Sequence, residues 1–337
     1  RIVKFYAAVA MEVKKQLPDL LLGGGAYSLY LDPPVDTAVP DNMFISFVGY
    51  HYLSESYRQR SGQAWKSWSR KTARISLDPG HPSRQLVIRS NLLGGGWGMP
   101  VVYIHRLARD LARWKVSRLS DFDGCDQNWS TDGLNYYVLA RLLWDPALPV
   151  DGIIEQYCQK GFGPAAPEIR EYFNLVEGVT DRVAKLAGER DPLTVLTTRL
   201  LEREGFTEAK LAAMEACLKR ADLLVGADNR ISGEDAGMLR QRIDFLRTGL
   251  VYARKRCAVV RTEEGYFAAK TNPGSTPEII RDRLAEYVVA EEALTDFYDK
   301  DLPAGTWRLT RSILEDECFE KRGRVEWRKA KGYVYEE

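Results

Sequence analysis

Two aspartates two residues apart, Asp121 and Asp123, close an apolar stretch in LSDFDGCDQNWS, with Asp126 and Trp129 just behind. If that stretch is a strand running straight through them, both side chains share a face. Glycoside hydrolysis needs such a pair, one carboxyl as acid and the other as nucleophile or base. The indole of Trp129 would supply a flat platform for a sugar ring. The ordinary alternative is that Asp123-Gly124 is a turn and Asp121 a structural acceptor. Arg89 and Asn91 follow another apolar run, Leu86-Val87-Ile88. Arginine matches a carboxylate or sulfate on an acidic sugar in bidentate fashion, and equally a neighbouring Asp in a structural ion pair. The glycine-rich Gly94–Gly98 surrounds Trp97 and lacks the Lys-Ser/Thr of a phosphate loop. It therefore reads as a close backbone approach to a ligand or as a turn. Tyr27 and His51 complete the set, His51 as a polar contact, an acid/base group or a structural histidine. Glu55 is a further carboxylate on the same presumed edge. The candidates are thus Asp121 and Asp123 for catalysis, with Tyr27, His51, Arg89, Asn91, Trp97 and Trp129 for substrate. No metal and no cofactor is expected.

Those residues need elements to hold them. Ile2, Phe5, Val9, Val13 and Leu17 fall near helical spacing before Pro18. Leu20–Leu22 runs into three glycines and Ala26-Tyr27-Ser28; Met43–Val48 and Gln85–Ile88 read as strands; Gln63–Lys71 and Val101–Trp114 read as helices; Val116–Phe122 is the next strand. Strands alternating with helices imply parallel βαβ units. Four strands without a dinucleotide fingerprint suit part of a (β/α)8 barrel, with a doubly wound sheet as the competitor. In either, Tyr27, His51, Asn91 and Asp123 should share the C-terminal edge of the sheet, because each follows its strand. The helix Gly133–Trp144 is apolar nearly all round, with Leu134, Val138 and Leu142 in one stripe and Tyr137, Ala140 and Trp144 in another. It is predicted to be buried between barrel and helical region, Trp144 included.

After Pro146 the pattern is helical. Thr207 is positioned to cap a helix closed by Gly226. Ser232 and Asp235 resemble a capping box. Leu239, Ile243, Leu246, Leu250, Ala253 and Cys257 form a seam at alternating fours and threes. Thr276-Pro277-Glu278 starts another helix. The expected organisation is 1–146 as the C-terminal part of a (β/α)8 barrel, 147–300 as a helical domain and 301–337 as an extension. The chain opens on Arg1 with residues that read as mid-domain, so a preceding segment is expected.

Composition narrows the classes. Over 337 residues, 48 basic and 47 acidic side chains leave a formal charge of +1, which supplies no electrostatic footprint for nucleic acid or an anionic membrane. No apolar run approaches the ~20 residues of a transmembrane helix. Five scattered cysteines without CxxC and three histidines without ligand spacing argue against a disulfide framework and a zinc site. Free thiols favour a reducing compartment and a glycan substrate favours the periplasm or the outside, so localisation stays open. The expected partner is a carbohydrate; oligomeric state is not legible.

Four tracts go beyond pattern: LVIRSNLLGGGWGMP, LSDFDG, GLNYYVLARLLWDP and YCQKGFGPAAPEIREYF. Together with FYAAVAMEVKKQLPDL and AYSLYLDPP they resemble a bacterial family of glycoside-hydrolase-like proteins, catalogued as domain-of-unknown-function family 4838. The resemblance covers about residues 1–177. It implies a barrel related to those of α-glucuronidases and hexosaminidases, and an exo- or endo-acting glycosidase. It also implies that earlier barrel strands carry part of the site. Where related barrels use a Glu near the end of a middle strand, this chain offers Tyr27 and His51. A non-catalytic carbohydrate-binding protein on a degenerate barrel is the alternative.

Overall fold

A computed structural model describes residues 1–49, 55–72, 86–90, 98–114, 119–122, 129–187 and 199–301. His51, Asn91, Trp97, Asp123 and the tail from Trp307 lie outside them. The chain is mixed α/β. Strands β1 (Leu22–Tyr27), β2 (Met43–Val48), β3 (Leu86–Ser90) and β4 (Leu119–Phe122) form one parallel sheet in the order β1-β2-β3-β4. Helix α1 (Ile2–Gln16) precedes β1, α2 (Glu55–Thr72) joins β2 to β3, and α3 (Ile104–Trp114) joins β3 to β4. Parallel neighbours need such crossovers.

β1 is longer than its sequence advertises. Gly23, Gly24 and Gly25 lie within the strand, which runs on to Tyr27. Glycine is a poor strand former, and packing explains its use here. A Cβ on Gly24 would come within 2.3 Å of the Met43 side chain and 2.9 Å of the Tyr6 ring. The missing side chain is what lets α1 lie close on the sheet. β2 turns Met43, Ile45 and Phe47 into the core.

α2 also begins earlier than its apolar pattern indicates, at Glu55. Trp65 and Trp68 anchor it. The Trp65 indole donates to the Trp114 carbonyl (3.0 Å), stacks on the Trp114 ring and meets Phe47 edge-on. Trp68 donates to the Leu31 carbonyl at 2.7 Å. Both indoles are buried with their N–H groups satisfied, the arrangement expected of core tryptophans.

α4 (Trp129–Trp144) follows β4 and corrects one expectation. Leu134, Val138 and Leu142 are buried as anticipated, but Trp144 is 90% exposed. Ala140 is exposed too, while Tyr137 is half-buried against the core, so the second stripe turns to solvent towards the C-terminal end of the helix. The apolar character of that stripe does not come from burial. α4 packs on α3, on α5 (Val150–Phe162) and on α8 (Gly233–Thr271). At its crossing with α8, Gly249 is required: a Cβ there would lie 2.7 Å from Thr131 Cγ2 and 3.2 Å from the Ser130 carbonyl oxygen.

α5 stops at Gly163, whose φ of 53° is a left-handed position that glycine fills without strain. α6 (Ala166–Ala187), α7 (Glu208–Ala227), α8 and α9 (Pro277–Asp296) complete the helical part. The seam Ile243, Leu246, Leu250, Ala253 and Cys257 is buried as its spacing requires. Ser232 Oγ accepts from the Asp235 amide (3.0 Å) and Thr276 Oγ1 from the Ile279 amide (3.3 Å), so both caps form. Two cap readings fail. Thr207 stands at the N-cap of α7 without a side-chain bond, and Gly226 lies inside α7, which ends at extended Asp228. A π-helical turn, Leu201–Gly205, presents buried Glu202 to Arg256 of α8 at 2.6 Å. Arg199 beside it pairs with Glu263 at 3.1 Å. A buried carboxylate persists only with such a partner.

Candidate functional site

The strand ends come first, because the sequence candidates converge there. Tyr27 is the last residue of β1 and pairs in register with Val48, the last of β2. Ser90 ends β3 opposite Phe122, which ends β4. The four strands therefore finish together, and His51, Asn91 and Asp123 follow those ends in sequence, outside the described residues.

Between β3 and β4 the ladder is irregular. Ile88 pairs with Leu119, but Arg89 pairs with Asp121, so Ser120 is skipped. A one-residue bulge of this kind re-aims a strand end, and bulges are common beside functional sites. Its effect is to set Arg89 and Asp121 as direct neighbours, ~4.8 Å apart across the ladder. Nothing in the local sequence signals that bulge. Tyr27 is farther away: β1 and β4 are the outer strands, so three strand spacings, ~14 Å, separate the two rows. Tyr27 is 43% exposed and meets Tyr30 edge-on at 6.4 Å. Trp129 opens α4. Of the eight candidates, Tyr27, Arg89 and Asp121 thus lie at or near one sheet edge. Trp129 starts the helix that follows.

Glu55 is committed elsewhere. It is the first residue of α2, and Arg58 donates to both its oxygens at 2.7 and 3.2 Å. The same guanidinium donates to both oxygens of buried Asp110 on α3, at 3.0 and 2.8 Å. Burial works to raise the Glu55 pKa, and the Arg58 hydrogen bond and charge outweigh it, so the carboxyl titrates below its ordinary value. An ionised carboxylate clamped by arginine is a strut between α2 and α3, and a poor general acid.

A second polar hub holds the start of α3. The Asn135 amide of α4 donates to the Val101 carbonyl (2.8 Å), and its oxygen accepts from the Tyr103 amide (3.1 Å). Thr180 of α6 accepts from the Val102 amide. Glu177 accepts from the His105 amide and pairs with His105 Nδ1 at 2.7 Å, while Asp151 of α5 stands 3.4 Å from Nε2. The hydrogen bond to Glu177 raises the His105 pKa against the opposing effect of burial. Among the described residues, no group of three or more His, Cys, Asp or Glu is placed to hold a metal ion. None of the described helices is long and apolar enough to cross a membrane.

Residues 1–174 match the family described as Domain of unknown function (DUF4838). The chain belongs to that family. No curated protein and no solved structure matches it. The DUF4838 match takes in the sheet, the Glu55–Arg58–Asp110 hub, Asn135 and α4, and it ends inside α6, before Glu177 and Thr180.

One further feature straddles the end of that match. Tyr137, Gln156, Tyr157, Lys160, Gly161 and Phe162 from α4 and α5 meet Arg242, Phe245 and Leu246 of α8 around a cleft of about 460 Å³. The Tyr137 and Tyr157 rings are 5.0 Å apart and tilted. Burial pushes the Tyr157 hydroxyl up to about 12, so it stays protonated. No sequence signal joins residues 137–162 to 242–246, and the cleft was not among the sequence candidates.

Proposed function

We propose that the chain is a glycoside hydrolase-like protein acting on a polysaccharide or oligosaccharide at the C-terminal ends of β1–β4. On this reading the sheet is part of a (β/α)8 barrel. The unbroken strand order supports it, since a doubly wound sheet reverses its order at the switch point where ligands bind. The observation that carries the proposal is the Arg89–Asp121 register at the strand ends. It puts the backbone positions of Arg89 and Asp121 side by side at the strand ends, where barrel enzymes keep their chemistry.

In this reading Asp123, beyond the strand end and before a glycine, is the carboxyl nearest the sugar. Asp121 orients it or pairs with Arg89, and Arg89 favours an acidic glycan. Tyr27, His51, Asn91, Trp97 and Trp129 line the cleft. As an acid, Asp123 needs burial or a neighbouring carboxylate to raise its pKa; as nucleophile or base it needs to remain ionised.

One observation favours the second reading, a non-catalytic carbohydrate-binding protein. Glu55, the other carboxylate assigned by sequence to this edge, is held by Arg58. Hydrolysis then draws its pair from Asp121 and Asp123. A glycan panel scored for both binding and release of reducing ends separates the readings. Release that disappears in Asp123→Asn, with binding retained, supports the hydrolase. Binding without release supports the alternative, and a panel with neither removes both.

A further inference from the structure

The cleft between α4, α5 and α8 has an unusual charge balance. Its walls are Tyr137, Tyr157, Phe162, Phe245 and Leu246, and its polar groups are Gln156, Lys160 and Arg242. None of the lining side chains is acidic. Arg141 stands at the edge, with its guanidinium over the Tyr137 ring at 5.9 Å and hydrogen-bonded to the Tyr137 hydroxyl and to Gln156 Oε1. Arg242 donates to the Gly161 carbonyl at 2.8 Å. Most arginines of the helical part are neutralised: Arg170 by Asp151, Arg220 by Glu168, Arg247 by Asp222 and Asp244, Arg256 by Glu202. Among the described residues, Arg141, Lys160 and Arg242 have no carboxylate partner. The acids nearest in sequence are engaged, Glu155 accepting from Gln159 and Asp244 from Arg247.

We propose that this cleft binds a small organic anion with a flat apolar face, its ring against Tyr137, Tyr157 and Phe245 and its carboxylate at Lys160 and Arg242. The volume falls within the range of small-molecule sites, roughly 300–1,000 Å³. Tilted aromatic walls suit a ring, whether a sugar or an arene. Gln156 and the Tyr137 hydroxyl supply neutral polar contacts. Two chemical sources share this description, a uronic acid and an aryl carboxylate.

The test uses the full chain and three probes: sodium glucuronate, sodium benzoate, and glucose as the uncharged control. Ligand-observed NMR titration should show saturable 1:1 binding of one of the acids and none of glucose. Lys160→Gln and Arg242→Gln should each weaken that binding by roughly fivefold, the scale of a partly exposed ion pair. Lys160→Glu should abolish it. Preference for glucuronate identifies an acidic sugar, and preference for benzoate an aryl acid; either supports the site. The inference is overturned if neither acid saturates, if glucose binds as well as the acids, or if the Gln variants bind like the parent. Arg89→Gln must bind the probe normally, since loss there would place the bound acid at the strand ends instead.

Discussion

Asn135 offers the sharpest test of how α4 is tied to the rest. The residue is fully buried, and its amide makes one bond in each direction to the backbone leading into α3. Asn135→Ala strips the donor from the Val101 carbonyl and the acceptor from the Tyr103 amide, both in a region of fully buried residues. Leaving a buried polar group without its partner costs about 1–3 kcal/mol. Two such losses come to ~2–6 kcal/mol, the lower end applying if a water enters the space vacated by the carboxamide. Asn135→Asp keeps the acceptor but loses the donor and introduces a charge. Burial would hold that carboxyl's folded pKa above its unfolded one. The defect should therefore be smallest at acidic pH and grow as pH rises through the unfolded carboxylate range. Urea unfolding at 25 °C, with an unchanged denaturant slope, measures both variants. A loss under about 1 kcal/mol for Asn135→Ala would refute the assignment of this side chain as the clamp.

Trp144→Ala should leave the melting temperature within about 1 °C of the parent, because an exposed side chain has little burial to lose, whereas Leu139→Ala in the same helix should cost ~2–5 kcal/mol. Gly249→Ala should destabilise by about 1–3 kcal/mol through overpacking, net of the better helix propensity of alanine. Adding Thr131→Ser removes the clashing Cγ2 and should recover part of that loss in a double-mutant cycle; strict additivity would refute the contact. His105 should titrate above 6.5, since Glu177 favours its charged form. Its contribution to stability is then complete below the unfolded pKa and is lost as pH rises through the folded one. A proton NMR titration giving a midpoint at or below 6.5, or one unmoved by Glu177→Gln, would contradict that pairing.

The sequence carried the alternation of strand and helix well where side chains are apolar and period is clean, as in β2 and α3, and poorly where tertiary packing overrides propensity. The extent of β1 was not legible because three of its six residues are glycine, and the reason lies in Tyr6 and Met43, which no local window contains. The first turns of α2 were hidden because Glu55 and Arg58 answer to Asp110, 52 residues on from Arg58. Trp144 was misplaced by type: a large aromatic on an apolar helix reads as core, yet it lies on the stripe that includes exposed Ala140. The Ser120 bulge changes which residue faces Arg89, and nothing in LSDF encodes it. His105, Glu177 and Asp151 come from three helices, and the cleft from three as well, so spacing along the chain could reveal neither.

Both proposed ligand positions depend on α4. It begins at Trp129, directly after the strand-end segment, and eight residues later, ~12 Å along its axis, Tyr137 lines the cleft. Besides its apolar packing, two contacts that have nothing to do with either ligand hold it in place: Asn135 against the backbone before α3, and the Thr131–Gly249 crossing with α8. The two proposed sites are therefore chemically separate but mechanically joined. Asp123→Asn and Lys160→Gln should each disturb one site only. Gly249→Ala, which forces α4 and α8 apart, should weaken binding at the cleft, where Phe245 and Leu246 sit within one turn of the substitution. It should also alter glycan affinity at the strand ends through the displaced N-terminus of α4. If Gly249→Ala lowers stability while leaving both affinities at parental values, α4 is a passive strut, and the two sites owe their geometry to the sheet and to α8 alone.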